Sequence, residues 1–420
     1  MKGKSRWTDL TNHATRPWRA DKLSRLGSSI FAEVAAWKKE AEMAGRDLID
    51  LSIGSPDLGP TEAVRRALSE AVLDEKNYTY PGSAGSDAFR EKCAAWMEHR
   101  FNVRLDPKAE VLSLMGSQDG LAHLAQAICN PGDLAIVPNP GYPIYAGSLA
   151  IAGVKPYEMP LREEHGFLPD LESIPDEIWE QAVFILLNFP GNPIAATADR
   201  PYFERLVALA RKWNVLIVHD LAYSEMGFDG YQPPSILENP GAIETSVEFH
   251  SFSKSFNMAG CRIGFLAGNR DVLASLLELK NNIDYGVFGP IQKAAIAALE
   301  QAMDPFRPAA GVAGLYERRR DTLIDALARE GWGVPKPKAT MFAWAKLPAA
   351  FLESAEPWSS RQFARELLLG TGVAVIPGDG FGSEGEGYVR IALVQEEARL
   401  REAAARIGQF IKMHGKETSM

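Results

Sequence analysis

The sequence holds only three cysteines, Cys93, Cys129 and Cys261, in 420 residues. They are too few and too scattered for a disulfide framework or a thiolate zinc site, and they read as buried thiols. The seven histidines include no H-E-x-x-H or comparable ligand spacing, which argues against a metal centre. Long apolar runs are missing as well, and none approaches the roughly 18 residues of a membrane-spanning helix. The opening residues, MKGKSRWTDLTNHATRPW, lack the apolar core and small-residue cleavage site of a secretory signal. Positive charge is in deficit: 45 Lys plus Arg stand against 54 Asp plus Glu, a net −9 that does not suit a nucleic-acid-binding surface. These absences predict a cytoplasmic protein with no metal, membrane or nucleic-acid partner.

What is present is an ordinary globular composition, 46% hydrophobic and 24% charged, without repeats or low-complexity segments. The length allows two or three domains of roughly 100 to 200 residues. Residues 1–46 form an N-terminal arm or part of the smaller domain, with a helical stretch around 29–44, too short for a DNA-binding domain plus linker. From 47 to 304, short apolar runs alternate with helix-like segments. Strands are predicted at 110–115, 134–138, 183–188, 215–220 and 246–252, and helices at 120–129 and 202–213. Such alternation indicates an α/β domain with a mostly parallel sheet. The break Asp304-Pro305-Phe306-Arg307-Pro308 opens a smaller α+β domain, 305–420. Its predicted elements are a charged helix near 310–330, strands near 341–346 and 388–394, and a closing helix at 396–413.

Open α/β sheets bind ligands beyond the carboxyl ends of their strands, so the residues after each strand matter most. After 110–115 comes Gly116-Ser117-Gln118-Asp119-Gly120, opening a helix; it reads either as a phosphate-binding helix N-terminus or as an ordinary Ser N-cap. Strand 183–188 ends in Asn188-Phe189-Pro190-Gly191-Asn192-Pro193, a turn that either fixes an amide at the sheet edge or merely forms the bend. Asp220, directly after a buried strand, needs a cation or donors unless it caps a following helix. The last strand runs into Ser251-Phe252-Ser253-Lys254-Ser255, with Arg262 eight residues beyond Lys254. Two hydroxyls, a lysine and an arginine suit an anionic group, and a partly desolvated lysine can act as an imine-forming nucleophile. Gly380 to Gly385 fits G-x-G-x-x-G, but it precedes a strand instead of following one into a helix, so the match is accidental.

The segment SFSKSFNMAGCRIGF, 251–265, resembles the lysine signature of the fold-type I, class I/II aminotransferases that use pyridoxal 5′-phosphate. In chain order SIGSPD, YTYPGSAG, GSQDG, NPGYP, NFPGNP, HDLAYSE and GYVRIAL support it, covering nearly the whole chain. HDLAYSEMGFDGY, NNIDYGVF and PKATMFAWAKLP look most like the LL-diaminopimelate and alanine aminotransferase branch. The resemblance implies a large domain with a mostly parallel seven-stranded sheet and a smaller α+β domain. It implies that Lys254 carries the cofactor and moves the proton, and that Asp220 pairs with the pyridine nitrogen, the electron-sink arrangement of this cofactor. Asn192 and Tyr223 would bond the ring 3′ oxygen, and Tyr142 would stack on the ring. Ser117, Gln118, Ser251, Ser253 and Arg262 would surround the phosphate, and Tyr80 would reach the phosphate of a neighbouring subunit in a homodimer. Arg390 would clamp the substrate α-carboxylate, with Gly54 close by and Asn192 beside it.

The reaction so implied moves an amino group from an L-amino acid to 2-oxoglutarate or pyruvate, with LL-diaminopimelate and alanine as candidate donors. Two alternatives remain: β-elimination on the same cofactor, as in cystathionine-type lyases, and a regulator with an aminotransferase-like effector domain. The sequence departs from many relatives at Ile194-Ala195, where they have Thr-Gly, and at Cys261, where this branch often has Trp. Both departures are expected to alter packing beside the cofactor.

Overall fold

The strands are short, and most are buried along nearly their whole length. The computed structural model describes residues 18–26, 29–305 and 311–414, so residues 1–17 of the arm and 306–310 of the Pro-containing break lie outside it. Seven strands form the main sheet: β2 (Val111–Leu114), β3 (Leu134–Asn139), β4 (Lys155–Pro160), β5 (Ala182–Leu187), β6 (Leu216–Asp220), β7 (Ser246–Ser251) and β8 (Gly264–Gly268). Their order is β2-β8-β7-β6-β5-β3-β4. The run from β4 to β7 is parallel, while β8 is antiparallel to both β7 and β2. Two reversals leave β2 pointing the same way as β7, so the carboxyl ends of β2, β5, β6 and β7 open at one edge.

Strands covered on both faces read as continuous apolar runs because neither face meets water. β5, AVFILL, shows this. Ile185, Leu187 and Ile217 pack on one side with Phe203 of the helix Arg200–Trp213. Leu186, Val218 and Phe249 pack on the other with Leu121 and Leu124 of the helix Ser117–Ile128. Asp199 starts the first of these helices by accepting the Tyr202 N–H at 2.9 Å, and Asn214 ends it in the left-handed conformation.

A second core forms around β9 (Phe342–Lys346), β11 (Ile376–Pro377) and β12 (Tyr388–Ala392), an antiparallel sheet in the order β11-β12-β9. The helices Gly311–Arg329 and Glu397–His414 pack against this core through Leu323, Leu327, Leu400 and Ile407. The sequence begins the large unit at residue 47, but β1 (Ile49–Asp50) pairs with β10 (Val373–Ala374), and Ile49 and Leu51 are buried among Phe342, Val373 and Ile391. The segment after the arm therefore sits with the C-terminal elements. Helix Ile30–Met43 adds Ile30 and Val34 to Trp344, Ile376 and Phe381. No helix of the described residues is long and apolar enough to cross a membrane.

Candidate active site

The aligned strand ends face Arg390 of β12 and the 53–55 segment across a cavity of about 520 Å³. β7 ends at Ser251 and turns directly into the short helix Phe252–Ser255, which presents Lys254 to that cavity. The Ser251 hydroxyl caps this turn by accepting the Ser253 N–H at 3.3 Å. Lys254 Nζ donates to the Gly54 carbonyl. Burial, then the positive charges of Arg390 and Arg262, pull the Lys254 ammonium down to about 8, with Asp220 opposing them. A neutral amine is thereby accessible near neutral pH.

Asp220 closes the floor at the end of β6. No helix follows it, so the capping role is not taken up. Its Oδ2 accepts the Tyr145 hydroxyl at 2.8 Å, whereas its buried Oδ1 has no partner. Burial raises its pKa, against the hydrogen bond from Tyr145 and the charge of His219. An unmatched carboxylate oxygen at the floor of a cavity fits a cationic N–H of a bound group. Asn188 ties this floor together: its amide donates to the Asp220 carbonyl at 2.6 Å, and its Oδ1 accepts the Asn192 N–H at 2.7 Å. Tyr142 lies beside Tyr145 with ring centroids 5.9 Å apart and donates to Gln118 Oε1 at 3.1 Å. Tyr223 is buried against Phe342, and burial pushes its hydroxyl well above the usual range.

The anion-binding end is built from β2 and the loop before β8. Gly116, not Ser117, occupies the N-cap position of Ser117–Ile128, so the simple Ser N-cap is ruled out and Ser117 lines the cavity. Gly116 has φ +78°, and a Cβ there would stand 2.6 Å from Arg262 Nη2. Glycine is therefore required for the guanidinium to lie against the helix entry. Arg262 Nη1 donates to the Ala259 carbonyl at 3.0 Å and meets Ser253 Oγ at 3.5 Å. Ser117, Gln118, Ser251, Ser253 and Arg262 all line the cavity, a set of hydroxyls, helix-entry N–H groups and a cation that fits a phosphate.

Opposite them Arg390 is fully buried, between the rings of Phe342 at 4.3 Å and Phe381 at 4.9 Å. Nη1 donates to Asn192 Oδ1 and Nη2 to the Ser52 carbonyl, each at 2.9 Å. Among the described residues no carboxylate pairs with it, and burial lowers its pKa to about 10. Gly54 brings its Cα side within reach: a Cβ there would be 3.7 Å from Arg390 Nη1.

The cavity thus gathers every candidate named from the sequence except Tyr80. Tyr80 is 87% exposed and lies against Tyr285 at 5.3 Å, away from this chain's own site. Tyr145 is the main residue the sequence reading misses. It sits in the first turn of the helix Ile144–Ala152, just beyond Tyr142 of the preceding loop, with the two rings 5.9 Å apart. At the departures, Ala195 has φ 61°, a left-handed conformation that suits the glycine found in many relatives, while Cys261 is partly buried near the Lys254 turn. The Gly380–Gly385 match serves packing: a Cβ on Gly385 would lie 2.1 Å from the Gly378 carbonyl.

A buried lysine, a carboxylate with one unmatched oxygen, a cluster of hydroxyls beside a guanidinium, and a second, buried guanidinium with no carboxylate partner among the described residues surround one cavity. The family model for aminotransferases of class I and II matches residues 46–407, and the chain belongs to that family as a transaminase. It is 43% identical over 389 residues to an LL-diaminopimelate aminotransferase of Syntrophobacter fumaroxidans, covering 93% of this chain and 98% of the relative. Substrate-bound BacF of Bacillus subtilis superposes with a TM-score of 0.88 at 36% identity, covering 93% and 98% of the two chains. A probable N-succinyldiaminopimelate aminotransferase of Thermus thermophilus gives 0.83 at 40% identity, covering 91% and 100%.

Proposed function

We propose that the enzyme holds pyridoxal 5′-phosphate in this cavity and moves the amino group of an L-amino acid to a 2-oxo acid such as 2-oxoglutarate or pyruvate. The observation that carries this reading is the pair of unmatched buried charges, Asp220 Oδ1 and Arg390, flanking the lysine. When bound, the cofactor supplies a pyridinium ring that accepts electron density from the reacting carbon. Asp220 Oδ1 would receive the ring N–H, and Tyr145 holds the carboxylate in place through Oδ2. The Tyr142 ring, which lines the cavity, would pack against the cofactor ring. Tyr223 Oη and the Asn192 amide would serve the ring hydroxyl oxygen, since Asn192 Oδ1 is already committed to Arg390. Arg262 and the hydroxyls of Ser117, Ser251 and Ser253, with Gln118, hold the phosphate. Lys254 would hold the cofactor and move the substrate Cα proton at Nζ, for which a depressed pKa is suited. Arg390 grips the α-carboxylate, with Gly54 beside it.

The uptake of cofactor needs the neutral Lys254 amine, so its rate is expected to rise with pH and level off with a midpoint near 8. Stopped-flow absorbance on the cofactor-free protein measures this, and a midpoint at the ordinary lysine value of 10.5 would contradict the assignment. Arg390→Lys keeps a charge but loses the planar two-point grip. We expect kcat/KM for the amino donor to fall about 100-fold, roughly 3 kcal/mol, while cofactor affinity is unchanged. Steady-state kinetics beside a cofactor titration checks it, and unchanged kcat/KM would remove Arg390 from the substrate site.

LL-diaminopimelate is the first donor to test, because the relatives at 42–43% identity carry that name, and alanine is the second. A homodimer in which a second copy supplies Tyr80 is supported by the exposed aromatic patch of Tyr78, Tyr80, Tyr285 and Phe288, whose rings meet in pairs at 5.3 and 5.5 Å. The three cysteines stand free, which suits a reducing compartment such as the cytoplasm.

A further inference from the structure

Behind Asp220 the sheet carries a second charged cluster that the amino-transfer chemistry does not touch. Side chains alternate along a strand, so Asp220 and Ser251 face the cavity while His219, Glu248 and His250 lie on the other face, all buried. Glu248 Oε1 accepts from Ser235 Oγ at 2.7 Å and His250 Nε2 at 2.9 Å. Its Oε2 accepts from His219 Nδ1 and the Ile236 N–H, each at 2.9 Å. Burial works against the charged form, but the hydrogen bonds from His219 and His250 outweigh it and hold the carboxyl well below its usual range.

His219 is thus enclosed by acceptors. Nδ1 meets the Glu248 carboxylate, and Nε2 meets the Phe189 carbonyl at 3.0 Å. A neutral imidazole has a single N–H and would turn a lone pair toward one of these oxygens; only the doubly protonated ring satisfies both. His250 provides the internal contrast. Its Nε2 donates to Glu248, its Nδ1 has no partner, and its ring stacks on Phe265 at 4.6 Å, so one proton suffices.

We propose that His219 is a standing imidazolium, paired with Glu248, that acts as a positioning residue for the cofactor site from the opposite face of the sheet. Its Nε2–H anchors the Phe189 carbonyl, and with it the turn that carries Asn188 and Asn192, onto β6 and β7. Its charge, adjacent in sequence to Asp220, counters the burial that favours a protonated carboxyl there. The other groups acting on Asp220 are Tyr145 from the helix Ile144–Ala152, the Ala222 N–H, His250 of β7, and Tyr142, Tyr223 and Lys254 around the cavity. The role of Asp220 rests on the function proposed above; the protonation state of His219 does not.

The test uses cofactor-free protein labelled with 15N at histidine, with side-chain 1H–15N correlations recorded at pH 7.5 and assigned with His219→Gln and His250→Gln. Two protonated nitrogens are expected on His219 and one on His250. A lone-pair nitrogen on His219 would overturn the proposal. In His219→Gln, the ionisation midpoint of Asp220, followed by its 13C carboxyl shift, is expected to rise so that its acidity falls about tenfold. Cofactor affinity should fall by a similar factor. An unmoved Asp220 midpoint would overturn the electrostatic role. If the Gln variant does not fold, His219 is assigned in the unsubstituted protein by through-space contacts of its ring with Phe203, whose ring lies 5.1 Å away, and the spectrum still decides the protonation state. Failure of the unsubstituted protein to bind the cofactor would refute the proposed function and leave the imidazolium standing.

Discussion

Lys254→Ala is expected to lower amino transfer by roughly 10⁴-fold or more, because the substitution removes both the nucleophile that carries the cofactor and the base that moves the Cα proton. The fold should survive. The Lys254 ammonium lies in a buried setting with two other cations nearby, which is why its pKa is pulled down, so its loss relieves repulsion instead of breaking a stabilising ion pair. The measurement is turnover with a donor and a 2-oxo acid, set beside thermal unfolding of the cofactor-free proteins. A melting temperature equal to or above that of the unsubstituted protein, with turnover gone, is the expected outcome; turnover retained in the variant would refute the role of Lys254.

Asp220→Ala should weaken cofactor binding about 100-fold, roughly 3 kcal/mol, the range for truncating one partner of a buried charged pair. Part of that loss comes from Tyr145, whose hydroxyl loses its acceptor at 2.8 Å. Asp220→Asn separates the two contributions. The amide still receives the Tyr145 hydroxyl but no longer favours a protonated ring nitrogen, so Cα proton loss should remain slow even at saturating cofactor. Single-turnover kinetics with a Cα-deuterated donor reads that step. Wild-type proton transfer in the Asn variant would mean that the charge of Asp220 is not what the chemistry uses.

Most of the parallel strands were legible in the sequence because burial leaves short, largely apolar runs, whereas the edge strand β4, KPYEMP, is polar and mostly exposed and was not predicted. β3, β5, β6 and β7 lie within a residue or so of their predicted bounds. β8 was not legible: Gly264–Gly268 is short and glycine-flanked, and it follows the lysine segment without a distinct break. Its antiparallel insertion between β7 and β2 depends on the Ser251↔Gly264 register, which no local pattern encodes. β1 was not legible for a similar reason, since a two-residue strand takes its partner from tertiary contacts with β10.

The site was more legible than the topology that builds it, because strand-end polar residues stand out against apolar runs. Asp220, Ser251 and Lys254 follow that rule. Tyr145 did not stand out, since a tyrosine in a helix beside alanines reads as ordinary core until Asp220 is found 2.8 Å from its hydroxyl. The His219–Glu248 pair was hidden likewise, because its members come from adjacent strands 29 residues apart in sequence.

The most direct test is the absorption spectrum of the protein loaded with pyridoxal 5′-phosphate, before and after adding LL-diaminopimelate, alanine or L-glutamate with no 2-oxo acid present. The expected result is loss of the visible band as the amino group is taken up, with stoichiometric release of the matching 2-oxo acid. A band that no amino acid bleaches, or one that persists while cystathionine or cysteine releases pyruvate and sulfide, would contradict amino transfer at Lys254.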